Sequence, residues 1–176
     1  MLCIPGSRFA KRCAEHLCAL YQEQHGLETV IARCFAFLGQ DLPLDVHFAI
    51  GNFIRDALIG QEIVVRGDGR PIRSYLDQRD LARWLTTLLA KGKTGEAYNV
   101  GSDVAITLGE LAHKVRDIIA PEKRVLILGA GASHGFRNRY IPSIAKVKNE
   151  IGLSPTYLLH ESIRDTAKIN GWKIKN

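Results

Sequence analysis

Gly67-Asp68-Gly69-Arg70-Pro71-Ile72-Arg73-Ser74-Tyr75-Leu76-Asp77-Gln78-Arg79-Asp80-Leu81-Ala82-Arg83-Trp84-Leu85 is the segment from which the rest of the chain can be read. Upstream of it, Glu62–Arg66 is β-branched and strand-like. The glycines then predict a hairpin turn, an extended piece carrying Arg73 follows, and Asp80 is placed to cap a helix with Leu81, Trp84, Leu85, Leu88 and Leu89 on its apolar face. Strand, turn and helix together gather several arginines at one end. The planar guanidinium fork matches a phosphate bidentately, so this arrangement suits a diphosphate or another compact anion. Solvated loop charges are the alternative.

On the N-terminal side, Ser7 to Gln24 carries Phe9, Cys13, Leu17 and Leu20 on one helical face and Ala10, Ala14, Cys18 and Tyr21 beside it. Ser7 is the expected N-cap and Gly26 the stop. So wide a stripe predicts burial on two sides, either within one core or against a partner helix. Thr29–Phe35 is almost continuously apolar and reads as a buried parallel strand, with Arg33 at its end a structural ion-pair partner. Phe48–Ile59 is an amphipathic helix stopped by Gly60, and Gly95–Gly101 a short strand ending in a turn.

Thr107 opens a helix with Glu110 three residues on, the signature of a capping box. Arg124–Leu128 is a strand that runs into Gly129-Ala130-Gly131-Ala132-Ser133-His134-Gly135. That spacing is GxGxxxG, and no apolar helix follows to offer its N-terminus to a pyrophosphate, so it does not read as a dinucleotide loop. Pro142-Ser143 opens a helix to about Glu150, stopped by Gly152, and Leu158–Ile169 is the last. The alternation of helices and strands makes an α/β chain with short, mixed sheets.

At 176 residues the chain can bury a real core. Arg33 and Arg83 interrupt the best apolar runs well short of the roughly 18 residues of a membrane span. No basic region precedes a long apolar one at the start, so the expected location is cytoplasmic, with no membrane partner. The four cysteines lack CxxC spacing, which favours reduced thiols over zinc. The net charge of +6 is spread among 18 acids rather than gathered in a basic run, which argues against a nucleic-acid partner and for a small anionic ligand.

Four segments in order carry a resemblance that spans nearly the whole chain: Ala10-Lys11-Arg12-Cys13-Ala14-Glu15-His16-Leu17; Val30–Gly39; Gly67-Asp68-Gly69 with Arg73-Ser74-Tyr75-Leu76 and Asp80-Leu81-Ala82; and Ala97-Tyr98-Asn99-Val100-Gly101-Ser102. They resemble the C-terminal half of NAD-dependent nucleotide-sugar epimerases and dehydratases, in the extended short-chain dehydrogenase/reductase superfamily, with the dTDP-glucose 4,6-dehydratase-like branch nearest in character.

The resemblance implies the C-terminal part of a Rossmann-type fold joined to a small mixed α/β substrate-binding subdomain. It puts 1–40 on the Rossmann side and 41–176 in the nucleotide-sugar subdomain, with about 80–101 packing back. In such enzymes an N-terminal Rossmann domain binds NAD, and a tyrosine in a Tyr-x-x-x-Lys helix takes a proton from the sugar while the lysine lowers its pKa. Lys11 matches that lysine and would touch the cofactor ribose, but Ser7 stands in place of the tyrosine. Ala36 stands where asparagine is frequent, and the strand, glycine loop and helix for the NAD pyrophosphate are expected to be missing. Arg73 and Arg139 match arginines placed on a nucleoside-diphosphate sugar, with Asn99, His47 and Asn52 lining the pocket. The apolar stripe and the exposed strand edge predict a homodimer through helix 7–24, and the chain alone is expected to be catalytically silent. The competing expectation is a non-catalytic dimerising scaffold.

Overall fold

The computed structural model describes residues 5–46, 48–129 and 139–173, with side chains from Phe9 onward. Helix α1 (Pro5–His25) opens on a proline, which suits a first turn, and ends at Gly26 with φ 65°. Ser7 therefore falls inside the helix rather than at its cap.

Strand β1 (Ile31–Cys34) runs parallel to β6 (Ala97–Val100), from Ile31 opposite Ala97 to Cys34 opposite Val100. Val30, Ala32, Tyr98 and Val100 point into a core with Trp84 and Leu88 of α3 (Gln78–Lys91) and Val147 of α5 (Ala145–Ile151). Arg33 points the other way, to Glu15 of α1. The strand is parallel as expected, yet its residues are half-buried or exposed, because only one of its edges is paired among the described residues. Among the described residues the wide stripe of α1 is not covered on two sides either: Phe9, Leu17 and Tyr21 stay exposed.

A second core lies where α2 (Ala49–Ile59), α4 (Leu108–Ile119) and α6 (Leu159–Ile169) close over β3 (Ile63–Val65), which is parallel to β8 (Val125–Ile127). Ile50, Phe53, Ile54 and Ala57 of α2 recur at helical spacing and meet Leu111, Ala112 and Val115 of α4. Burying each large side chain of this set contributes roughly 1.5–3 kcal/mol. The Thr107–Glu110 capping box opens α4 as the sequence predicts.

Two small sheets join these cores. Strand β2 (Phe37–Leu38) is parallel to β5 (Leu76–Asp77), and β4 (Ile72–Arg73) lies between β7 (Ile106–Thr107), antiparallel, and β9 (Arg139–Tyr140), parallel. The glycines at 67–69 do not make a hairpin. Strands β3 and β4 enter different sheets, and Gly69, with φ 70°, accepts a hydrogen bond from the Gly109 N–H at 2.9 Å.

The cap of α3 is Asp77, whose carboxylate accepts from the Arg79 N–H. Asp80, expected as that cap, is instead fully buried in the first turn, where it accepts from the Thr156 hydroxyl and the Thr156 and Tyr157 amides.

Candidate functional site

Pairing along β4 places the candidate arginines. Arg73 lies opposite Tyr140, and Ile72 opposite Arg139. Paired residues share a face of a sheet and successive residues alternate, so Arg73 and Tyr140 project together while Arg139 projects from the opposite face. The two arginines therefore do not converge from one face, and Arg139 is exposed. The Arg73 guanidinium is half-buried and donates from Nη1 to the Ile72 carbonyl at 2.8 Å.

The face that Arg73 shares with Tyr140 leads back to the first sheet. The Tyr140 ring lies 4.8 Å from that of Phe35, the residue that follows β1. Gly101, after β6, is held so close that a Cβ there would sit 2.8 Å from Pro142 Cγ and 3.1 Å from Phe35 Cβ. Asn99 Nδ2 donates to the Ser143 carbonyl at 3.0 Å. Arg73, Tyr140, Phe35 and Asn99 thus gather toward the C-terminal ends of parallel strands, the end at which open α/β sheets take ligands. Tyr140, Phe35 and Ser143 had no individual signal in the sequence, since the aromatic pair spans residues more than a hundred positions apart.

Lys11 is exposed on α1; burial pushes the Cys34 thiol up, and the Lys11 charge offsets part of that rise. Ser7 lies one turn earlier in the same helix. With both ends of its amide satisfied, Asn52 donates to the carbonyls of Val46 at 3.1 Å and Leu44 at 3.2 Å, so it fastens the loop before α2. His47 lies outside the described residues, as does the glycine stretch beyond Gly129. The neighbouring Tyr75 cannot act as a base near neutral pH, since burial pushes its hydroxyl up to about 12 despite the Arg73 charge.

Two further arginines of the segment, Arg79 and Arg83, are taken up by structure. Arg79 binds Asp77 at 2.8 Å and Asp165 at 3.0 Å and stacks over Tyr157. Arg83 bridges Asp80 and the Ser154 carbonyl, each at 2.7 Å. Arg33 grips Glu15 with two hydrogen bonds of 2.8 and 2.7 Å, the ion pair expected of it, and this holds the Glu15 carboxyl below its usual range.

Residues 8–101 match the family described as NAD dependent epimerase/dehydratase. The chain belongs to that family. It is 31% identical over 153 residues to UDP-glucuronic acid decarboxylase 6 of Arabidopsis thaliana, covering 87% of this chain and 44% of the relative. It is 30% identical over 179 residues to dTDP-glucose 4,6-dehydratase of Escherichia coli, covering 95% of this chain and 46% of the relative. Among solved structures, UDP-glucose 4-epimerase of Thermotoga maritima, determined with UDP-glucose, superposes with a TM-score of 0.83 over 92% of this chain and 52% of that one, at 21% identity. The fold is that of Rossmann-type extended short-chain epimerases and dehydratases. The chain spans about half the length of the curated relatives it matches.

NAD is the cofactor expected of the epimerase/dehydratase family. Three helix N-termini among the described residues are closed to a pyrophosphate. The N-termini of α3, α4 and α6 are closed by carboxylates of their own, from Asp77, Glu110 and Glu161. An anion cannot displace these without meeting like charge. No helix among the described residues is long and apolar enough to cross a membrane.

Proposed function

We propose that this chain is the nucleotide-sugar-binding portion of an NAD-dependent sugar-nucleotide lyase or isomerase, silent in catalysis by itself. The observation that carries the reading is the shared face of Arg73 and Tyr140, joined through Phe35 to the C-terminal end of β1. Arg73 then grips the diphosphate of a nucleoside-diphosphate sugar and Asn99 borders the sugar. Asn52 supports the rim by fastening the loop before α2, and Lys11 is the residue offered to the cofactor ribose. The core around Trp84 belongs to the cofactor side and that around Phe53 and Leu111 to the nucleotide-sugar side. The chain works in the cytoplasm. The relatives named above act, by their names, on UDP- or dTDP-linked sugars.

Silence follows from Ser7, whose hydroxyl is far less acidic than the phenol it replaces. A second reading, a non-catalytic dimerising scaffold, draws on the exposed Phe9, Leu17 and Tyr21 of α1, which suit a homodimer through that helix. A thermal-shift panel with dTDP, UDP, GDP, CDP and NAD separates the two. A nucleoside diphosphate at about 100 times its Kd stabilises the chain by about 2.7 kcal/mol. The expected result is a rise with one such diphosphate, none with NAD, and loss of the rise in Arg73→Ala. No rise with any of them favours the scaffold, and turnover of a nucleotide sugar with added NAD overturns the claim of silence.

A further inference from the structure

The sheet of β3 and β8 has one closed edge and one open edge. The Ile63 N–H donates to Arg124 O at 3.0 Å and the Leu128 N–H to Val65 O at 3.1 Å, so odd-numbered residues of β3 face even-numbered residues of β8. The Val64 N–H therefore points away from the partner strand, and the Asp56 carboxylate of α2 takes it at 3.3 Å. On β8 the Val125 and Ile127 amides and carbonyls point outward by the same parity, and among the described residues no further strand pairs with them. Side chains along this open edge are apolar without a break from Val125 to Leu128, and Leu126, Ile127 and Leu128 are 43%, 42% and 51% exposed. Charge gathers at the two ends of the run. Arg124 precedes it, its side chain 87% exposed and bonded to Glu62 at 2.8 Å. Arg66 follows β3, level with Leu128, and Arg70 leaves the glycine turn beyond; both are exposed, and neither guanidinium has a partner among the described residues. Asp68, the acid of that turn, already accepts from the Arg70 backbone N–H at 3.1 Å.

We propose that the outer edge of β8 is a docking site for an extended acidic segment of another protein. The segment adds to the sheet as a strand through the Val125 and Ile127 backbone groups, lays apolar side chains on Leu126 and Leu128, and brings carboxylates to Arg66, Arg70 and Arg124. Backbone pairing gives such a site its affinity, and the flanking side chains give it its choice of partner. Charge decides the occupant. A second copy pairing edge to edge about Leu126 would bring the same arginines of both copies round one sheet, and like charges so placed disfavour the pair. Charges kept only to discourage pairing would sit within the run, whereas Val125–Leu128 carries none.

The test adds a synthetic peptide of alternating valine and threonine, with aspartates at both ends, to the purified chain and follows hydrogen exchange at Val125 and Ile127. Exchange at both amides should slow by about tenfold or more. The effect should fade as salt rises from about 50 to about 200 mM. A peptide with lysines in place of the aspartates should give none. Ile127→Pro removes an outward amide that the β3 ladder does not use, and abolishes the effect. Should that variant not fold, Leu126→Asp, at an exposed site, weakens docking by repulsion, and Arg66→Glu does so with the edge itself intact. Absence of protection by the aspartate peptide overturns the proposal, and so does equal protection by the lysine peptide. Protection in the chain alone that grows with its own concentration overturns it in favour of a second copy.

Discussion

Leu111 on α4 and Leu17 on α1 both sit on the apolar stripe of an amphipathic helix, yet Leu111 is 0% exposed and Leu17 is 52% exposed. Around Leu111, three helices cover a strand pair and the stripe meets its complement inside the chain. Around Leu17, α1 lies on the far side of a sheet with an open edge, fastened by the Glu15–Arg33 pair. An apolar stripe thus tells that a surface is made to be covered, and only the structure tells whether this chain does the covering.

That contrast can be broken by substitution. Leu111→Ala should cost about 3–4 kcal/mol in urea unfolding, against under about 0.5 kcal/mol for Leu17→Ala in the dilute chain. Equal costs would mean that α1 packs as firmly as α4. Asp80→Ala should come next, at about 2–3 kcal/mol, since it strands the donors of Thr156 and Tyr157 and frees Arg83. Burial alone would raise the Asp80 carboxyl, but hydrogen bonds from Thr156, Arg83 and Tyr157 outweigh it and hold the group below its ordinary 3.8. The balance at Asp77, with Arg79 and Ser162, has the same sign. Carboxyls depressed in the fold contribute fully above about pH 4 and lose that contribution as pH falls through their folded values. Acid unfolding of the wild type below pH 4, flattened in Asp80→Ala, would sharpen the point. Smallest of all, Glu15→Gln should change stability by under about 0.5 kcal/mol, because the ion pair with Arg33 is open to solvent. A larger loss would show that α1 depends on this one fastening.

How far the sequence could be read follows the same division. Local signals carried through: the Thr107–Glu110 box, the helical spacing of Ile50, Phe53, Ile54 and Ala57, and the parallel nature of β1. What failed depended on distant partners. Asp80 looked like a cap because the apolar period begins at Leu81, whereas its ligands lie 76 and 77 residues downstream. The Gly67–Gly69 turn looked like a hairpin because nothing local reveals that β3 pairs with β8. Of the candidate site, Arg73 and Asn99 were legible as motif positions. The partition of Arg73 and Arg139 onto opposite faces was not, since it depends on a one-residue register between β4 and β9.

Gly101 gives the site its dimensions. Its backbone needs no unusual torsion, so what glycine supplies there is thinness: the gap between the turn after β6 and the Phe35–Pro142 wall is narrower than one methyl group. A spacer inserted at that point would act like a shim in a hinge. It would drive Phe35 and the Tyr140 strand away from the first sheet and change the separation between Arg73 and the end of β1 without altering Arg73, Tyr140 or Asn99. That separation is thus set by the absence of a side chain.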